Sequence, residues 1–106
     1  MPQRESQNGT GTATKTRSRT KLQPPSMWKV ILHNDDYTTQ EFVVWILKGV
    51  FRKEEAEAVR IMLDVHRKGK GVAGIYSFDV AETKVAQAKA LAEREEFPLM
   101  CTLEPE

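Results

Sequence analysis

Met27-Trp-Lys-Val-Ile-Leu-His-Asn-Asp-Asp-Tyr-Thr-Thr-Gln-Glu-Phe42 holds a strand, a turn and a helix start in one short stretch. Trp28, Val30 and Leu32 alternate with Lys29, Ile31 and His33, so a strand over Met27 to His33 has one wholly apolar face. Asn34-Asp35-Asp36 ends it, because Asn and Asp side chains bind nearby backbone groups and favour turns. Thr38-Thr39-Gln40-Glu41 then has capping-box spacing. The Thr38 side chain would accept from the backbone N–H of Glu41, and Glu41 would reach back. The expected helix, about 39–50, carries Phe42, Val43, Ile46, Leu47 and Val50 on one apolar arc.

Beyond this stretch the pattern repeats with variations. A second helix, about 53–68, has Val59, Met62, Leu63 and His66 at helical spacing, with Gly69 as a left-handed stop. Val72 to Phe78 reads as a second strand, weakened by Gly71 and Gly74. Asp79-Val80-Ala81-Glu82 is an acidic relative of the capping box, opening a third helix to about Glu96. Its expected core face is Ala81, Val85, Ala88 and Ala92, small enough to lie close to a sheet. Pro98 blocks its continuation, and Leu99, Cys101 and Leu103 alternate in a last strand. The order β-α-α-β-α-β predicts an α+β domain, a two-layer sandwich of three strands and three helices. Periodicity leaves the pairing order of the strands open.

On the amino-terminal side the composition changes. Residues 1–25 are rich in Gly, Thr, Ser and Gln, and only Met1, Ala13 and Leu22 are apolar. Such a segment cannot bury enough surface to offset its ordering entropy, so a disordered arm is expected at 1–25 and a folded domain at 26–106. Arg4, Lys15, Arg17, Arg19 and Lys21 face Glu5 alone there, which makes the arm basic although the formal net charge of the chain is only +1. A chain of 106 residues has room for one shallow site rather than a deep enzymatic cleft. Its one cysteine excludes an intrachain disulfide and suits a reducing cytoplasm. No apolar run approaches the roughly 18–20 residues that span a bilayer, so no membrane role is expected.

Two features could carry chemistry. In His33-Asn34-Asp35-Asp36-Tyr37-Thr38, a turn followed by a helix cap is one reading. The other is a seat for an ammonium group, whose donors the Asn34 oxygen and the Asp35 carboxylate would accept. His66 lies on the apolar stripe of its helix. It is either a core histidine with a satisfied ring or an acceptor bordering a pocket. His33, Asp35, Asp36 and His66 lack metal-motif spacing, and Cys101 has no base nearby in sequence, so neither a metal, a cofactor nor catalysis is expected. The basic run from Lys15 to Lys21 has no aromatic residue to stack on bases, which argues against nucleic acid.

Trp28 to Thr38, with Glu41-Phe-Val-Val44, resembles the opening signature of the ClpS family of Clp-protease adaptors. Met62-Leu63 with Val65-His66, Val80 to Val85, and Pro98-Leu99 with Cys101-Thr-Leu103 resemble its later segments in order and spacing, over about residues 26–104. The resemblance implies three antiparallel strands with three helices. It implies a monomeric cytoplasmic adaptor that binds the free first residue (Leu, Phe, Tyr or Trp) of N-degron proteins for a Clp protease. Asn34, Asp35 and His66 would hold the α-amino group. Leu32, Asp36, Thr38, Gln40, Val43, Met62, Val65 and Leu99 would line the side-chain pocket. Asp79 and Lys84 would dock on the amino-terminal domain of a ClpA-like or ClpC-like AAA+ ATPase, and the arm would assist delivery. Gln40 and Thr39 depart from the family, which often has Met and Pro at these positions.

Overall fold

The structure, a computed structural model, describes residues 26–106. The arm expected at 1–25 lies outside them. Three strands, β1 (Met27–His33), β2 (Lys70–Ser77) and β3 (Met100–Pro105), and three helices, α1 (Gln40–Gly49), α2 (Glu55–Lys68) and α3 (Phe78–Arg94), follow in the order expected. β1 is central, antiparallel to β2 on one side and to β3 on the other. Val30 and Leu32 are fully buried in the cluster that also holds Phe42, Ile46, Leu47, Ile61 and Val65. Ile31 is buried but stands outside that cluster, opposite Val72 and Thr102 on the other face of the sheet. The layer of helices therefore covers one face, and the apolar side of β1 selects which.

Helix ends differ from the expected caps. Thr39, not Thr38, caps α1, its hydroxyl accepting from the Phe42 N–H at 3.1 Å. The Thr38 hydroxyl is turned instead toward Asp35, to which it donates at 2.8 Å. β2 starts at Lys70 rather than Val72 and stops at Ser77, so Phe78 opens α3 and Ser77 takes the capping position expected of Asp79. Trp28 packs edge-on against Phe78, with centroids 5.1 Å apart, which fixes that early start. α3 closes sooner than expected, at Arg94. Glu96 turns left-handed (φ 64°), and the Phe97 N–H bonds to the Ala92 carbonyl at 2.8 Å.

Gly69 ends α2 with φ 91°, as expected for a left-handed stop. Gly74 has a different use. A Cβ there would collide with the ring of Tyr76, which lies across the glycine. The glycine thus marks a close approach rather than a weak strand. Tyr76 in turn packs near Phe51 and beneath the Lys84 ammonium, 5.4 Å from its ring centre.

Candidate functional site

The β1–α1 loop and α2 enclose a cleft of about 500 Å³. The loop is anchored at its start, where the Asn34 N–H donates to the Gly69 carbonyl at 2.9 Å and brings the end of β1 beside the end of α2. Asp35 organises the rest. One carboxylate oxygen accepts from the backbone N–H groups of Tyr37 (2.8 Å) and Thr38 (2.7 Å), and the other from the Thr38 hydroxyl (2.8 Å). Partial burial alone would raise its pKa. The backbone bond from Thr38, the Thr38 hydroxyl and the Tyr37 bond outweigh that and leave it below the usual 3.8. Asp35 is therefore an ionised carboxylate at neutral pH. A carboxylate has about four acceptor sites and three are filled, so about one remains for a ligand.

Asn34, Asp35, Asp36, Thr38, Gln40, Val43, Met62, Val65 and His66, from two stretches of the chain, all line this cleft. Val43, Met62 and Val65 are buried and form an apolar floor; Asn34, Asp36, Gln40 and His66 are exposed at the rim. Leu32 and Leu99 do not line it. Both belong to the buried core cluster. His66 is not a core histidine. The buried stripe of α2 is Ala58, Ile61, Met62 and Val65, which turns His66 outward to the cleft. Tyr37, Thr39 and Glu41 also line the cleft and were not foreseen, although their place in the same turn could have suggested them.

Asp79 and Lys84 lie apart from the cleft, together in a shallow depression with Val80, Thr83 and Gln87. Asp79 is exposed in the first turn of α3. Lys84 is half-buried and donates to the Val50 carbonyl at 2.7 Å, capping the end of α1. No sequence signal links these two positions. Among the described residues no three His, Cys, Asp or Glu side chains gather as a metal site, and no helix is long and apolar enough to cross a membrane. Burial pushes the Cys101 thiol up to about 11, with Lys89 only partly opposing it, so at neutral pH it stays a protonated thiol.

An apolar floor under a rim of acceptors, with one fixed carboxylate, gives a small domain whose cleft suits a ligand that is cationic at one end and apolar at the other. Comparison with known proteins narrows this class. The sequence model of the family described as "ATP-dependent Clp protease adaptor protein ClpS" matches residues 23–102. The ATP-dependent Clp protease adapter protein ClpS of Shewanella piezotolerans is 58% identical over 85 residues, covering 80% of this chain and 83% of the relative. That of Hyphomonas neptunium is 50% identical over 99 residues, 93% of this chain and 84% of the relative. The structure of Agrobacterium tumefaciens ClpS2 bound to L-phenylalaninamide superposes with a TM-score of 0.75 at 47% identity, covering 78% of this chain and all of that one. The chain belongs to the ClpS family.

Proposed function

We propose that this protein is an adaptor that holds the free first residue (Leu, Phe, Tyr or Trp) of N-degron substrates and delivers them to a Clp ATPase–protease in the cytoplasm. The observation that carries this reading is the cleft, where Asn34, Asp35 and His66 supply acceptors at the rim of an apolar floor. An ammonium offers three donors, and these groups offer one acceptor each when the imidazole is neutral. An internal peptide amide has one donor, no charge and a preceding carbonyl that would face Asp35, so the wrong ligand is repelled as well as poorly held. The side chain of residue one would rest on Val43, Met62 and Val65, with Asp36, Thr38 and Gln40 around its entrance. The likeness to a ClpS2 bound to L-phenylalaninamide supports this. That ligand combines a free α-amino group, an aromatic side chain and an amide where a peptide would continue.

Burying a Leu or Phe side chain contributes roughly 1.5–3 kcal/mol, and a charge-assisted hydrogen bond roughly 1.5–3 kcal/mol. After the cost of association, affinity on the order of micromolar follows, which suits an adaptor that must release its cargo. The exposed Asp79 and the Lys84 ammonium would meet the amino-terminal domain of a ClpA-like or ClpC-like ATPase. Their common depression shares no residue with the cleft, so cargo and ATPase could be held together. Fluorescence anisotropy of a labelled Leu-initiated peptide tests the central claim. Acetylating the peptide amine is expected to abolish binding, and equal binding of the acetylated peptide would reject the amino-terminal reading.

A further inference from the structure

We infer that Trp45 forms a second subsite, which takes an aromatic or large apolar side chain two or three residues beyond the first residue of the substrate. The inference rests on the reading of the cleft as the seat of residue one. Trp45 is 49% exposed, an unusual exposure for the largest apolar side chain on a helix that buries Phe42, Val43, Ile46 and Leu47. It is not loose. Its ring leans on Phe42 with centroids 5.7 Å apart, and Phe42 is braced in turn by Phe97 at 4.7 Å. One face of the indole is thus backed by a fixed aromatic column, which lowers the ordering cost of a ligand that packs on the other side.

Position supplies the occupant. Glu41, Val44, Trp45, Lys48 and Gly49 line a groove of about 460 Å³ along the outer side of α1, and Glu41 lines the residue-one cleft as well. The two hollows therefore adjoin at Glu41, in the first turn of α1. From Trp45 the surface runs on into a second, more apolar hollow of about 490 Å³, bounded by Val50, Ala90 and Leu91. A substrate chain seated by its first residue must leave across some rim, and this one offers apolar surface directly beyond it. At 1.5 Å per helical residue, Trp45 lies about 6 Å along α1 from Glu41. An extended chain covers that in about two residues at roughly 3.4 Å each. With residue one in the cleft and residue two at the rim, residue three or four reaches the indole. Lys48, at the far end, is held to Glu55 at 2.6 Å and so frames the groove instead of competing for it.

The test compares labelled peptides that begin with Leu and differ only at residues three and four, either glycine or phenylalanine, on the full chain and on its Trp45→Ala and Trp45→Gln variants. The unmodified protein is expected to favour the phenylalanine peptides by about three- to tenfold, a ratio typical of one aromatic contact. In both variants this ratio is expected to fall to near one while circular dichroism and melting temperature stay close to the parent. An equal ratio in parent and variants overturns the inference, as does a parent ratio of one. Loss of binding to an isolated ATPase amino-terminal domain in the variants, with the peptide ratio kept, also overturns it and assigns the indole to the ATPase. An acetylated control peptide separates the two levels. If it binds as well as the free amine, the cleft reading itself has failed; if it does not bind and the ratio is unaltered, only the Trp45 subsite has.

Discussion

Asp35 does two things with one carboxylate. It folds the loop, through three local donors, and it leaves a charge with about one free acceptor site at the cleft. Its folded pKa is depressed, so the stability it contributes is present above the ordinary value of 3.8 and is lost as pH falls through the lower folded value. Across pH 5–9 Asp35 therefore stays ionised, and peptide binding in that range does not depend on its titration. The alkaline limb belongs to the ligand, because a peptide α-amino group titrates at about 7.7–8.0. Affinity is expected to decline above about pH 8 in the parent, as the ammonium loses its charge. Asp35→Ala is expected to weaken binding tenfold or more at pH 7, in line with roughly 1.5–3 kcal/mol for a charge-assisted bond. Anisotropy titrations at several pH values check both statements. A variant that binds as the parent does would remove Asp35 from ligand contact.

Among the elements, the junction of α1 with α3 is the least foreseeable. Lys84 donates to the Val50 carbonyl at the end of α1 and lies over the ring of Tyr76, which can lie where it does because position 74 has no Cβ. A cation at a helix carboxyl end is favoured by the helix dipole as well as by the bond itself. Lys84→Ala is expected to lower stability by about 1 kcal/mol, which for a domain of this size is a drop of roughly 4–8 °C in melting temperature. Asp79→Ala should cost only about 0.3–1 kcal/mol, since the residue is exposed in the first turn of α3. The two variants therefore differ as tests of ATPase docking. A loss of docking in Asp79→Ala reports on contact, whereas the same loss in Lys84→Ala mixes contact with a loosened α1. Thermal melts of the two proteins side by side check this, and an unchanged melt for Lys84→Ala would show the Val50 bond to be idle.

At the scale of the whole molecule, binding and delivery are expected to be separable. Among the described residues, those lining the cleft run from Asn34 to His66. Removing residues 1–25 is accordingly expected to leave peptide affinity within about twofold, since a change under 0.5 kcal/mol is usual away from a site. Degradation of an N-degron reporter by the reconstituted protease is expected to fall, if the basic arm assists delivery. Abolished peptide binding on truncation would make the arm part of the site.

The element order and the apolar side of β1 were legible in the sequence because both depend on periodicity alone. The run Asn34-Asp35-Asp36 announced a turn rich in acceptors for the same local reason, the short reach of Asn and Asp side chains. What needed the tertiary structure was every outcome set by competition between distant parts. Thr39 caps α1 while the Thr38 hydroxyl is turned toward Asp35, and α3 starts at Phe78, where that ring meets Trp28. The buried stripe of α2 lies one position from the expected one, since Val59, Met62, Leu63 and His66 have helical spacing as good as Ala58, Ile61, Met62 and Val65. Only packing against α1 and the sheet decides which stripe is buried, and the stripe it buries leaves His66 outside, at the cleft. The pairing of Lys84 with Val50, 34 positions apart, has no local cause at all. A single sequence determines what neighbouring residues can do to one another; which of two equally periodic faces turns inward is fixed by the surface that arrives to cover it.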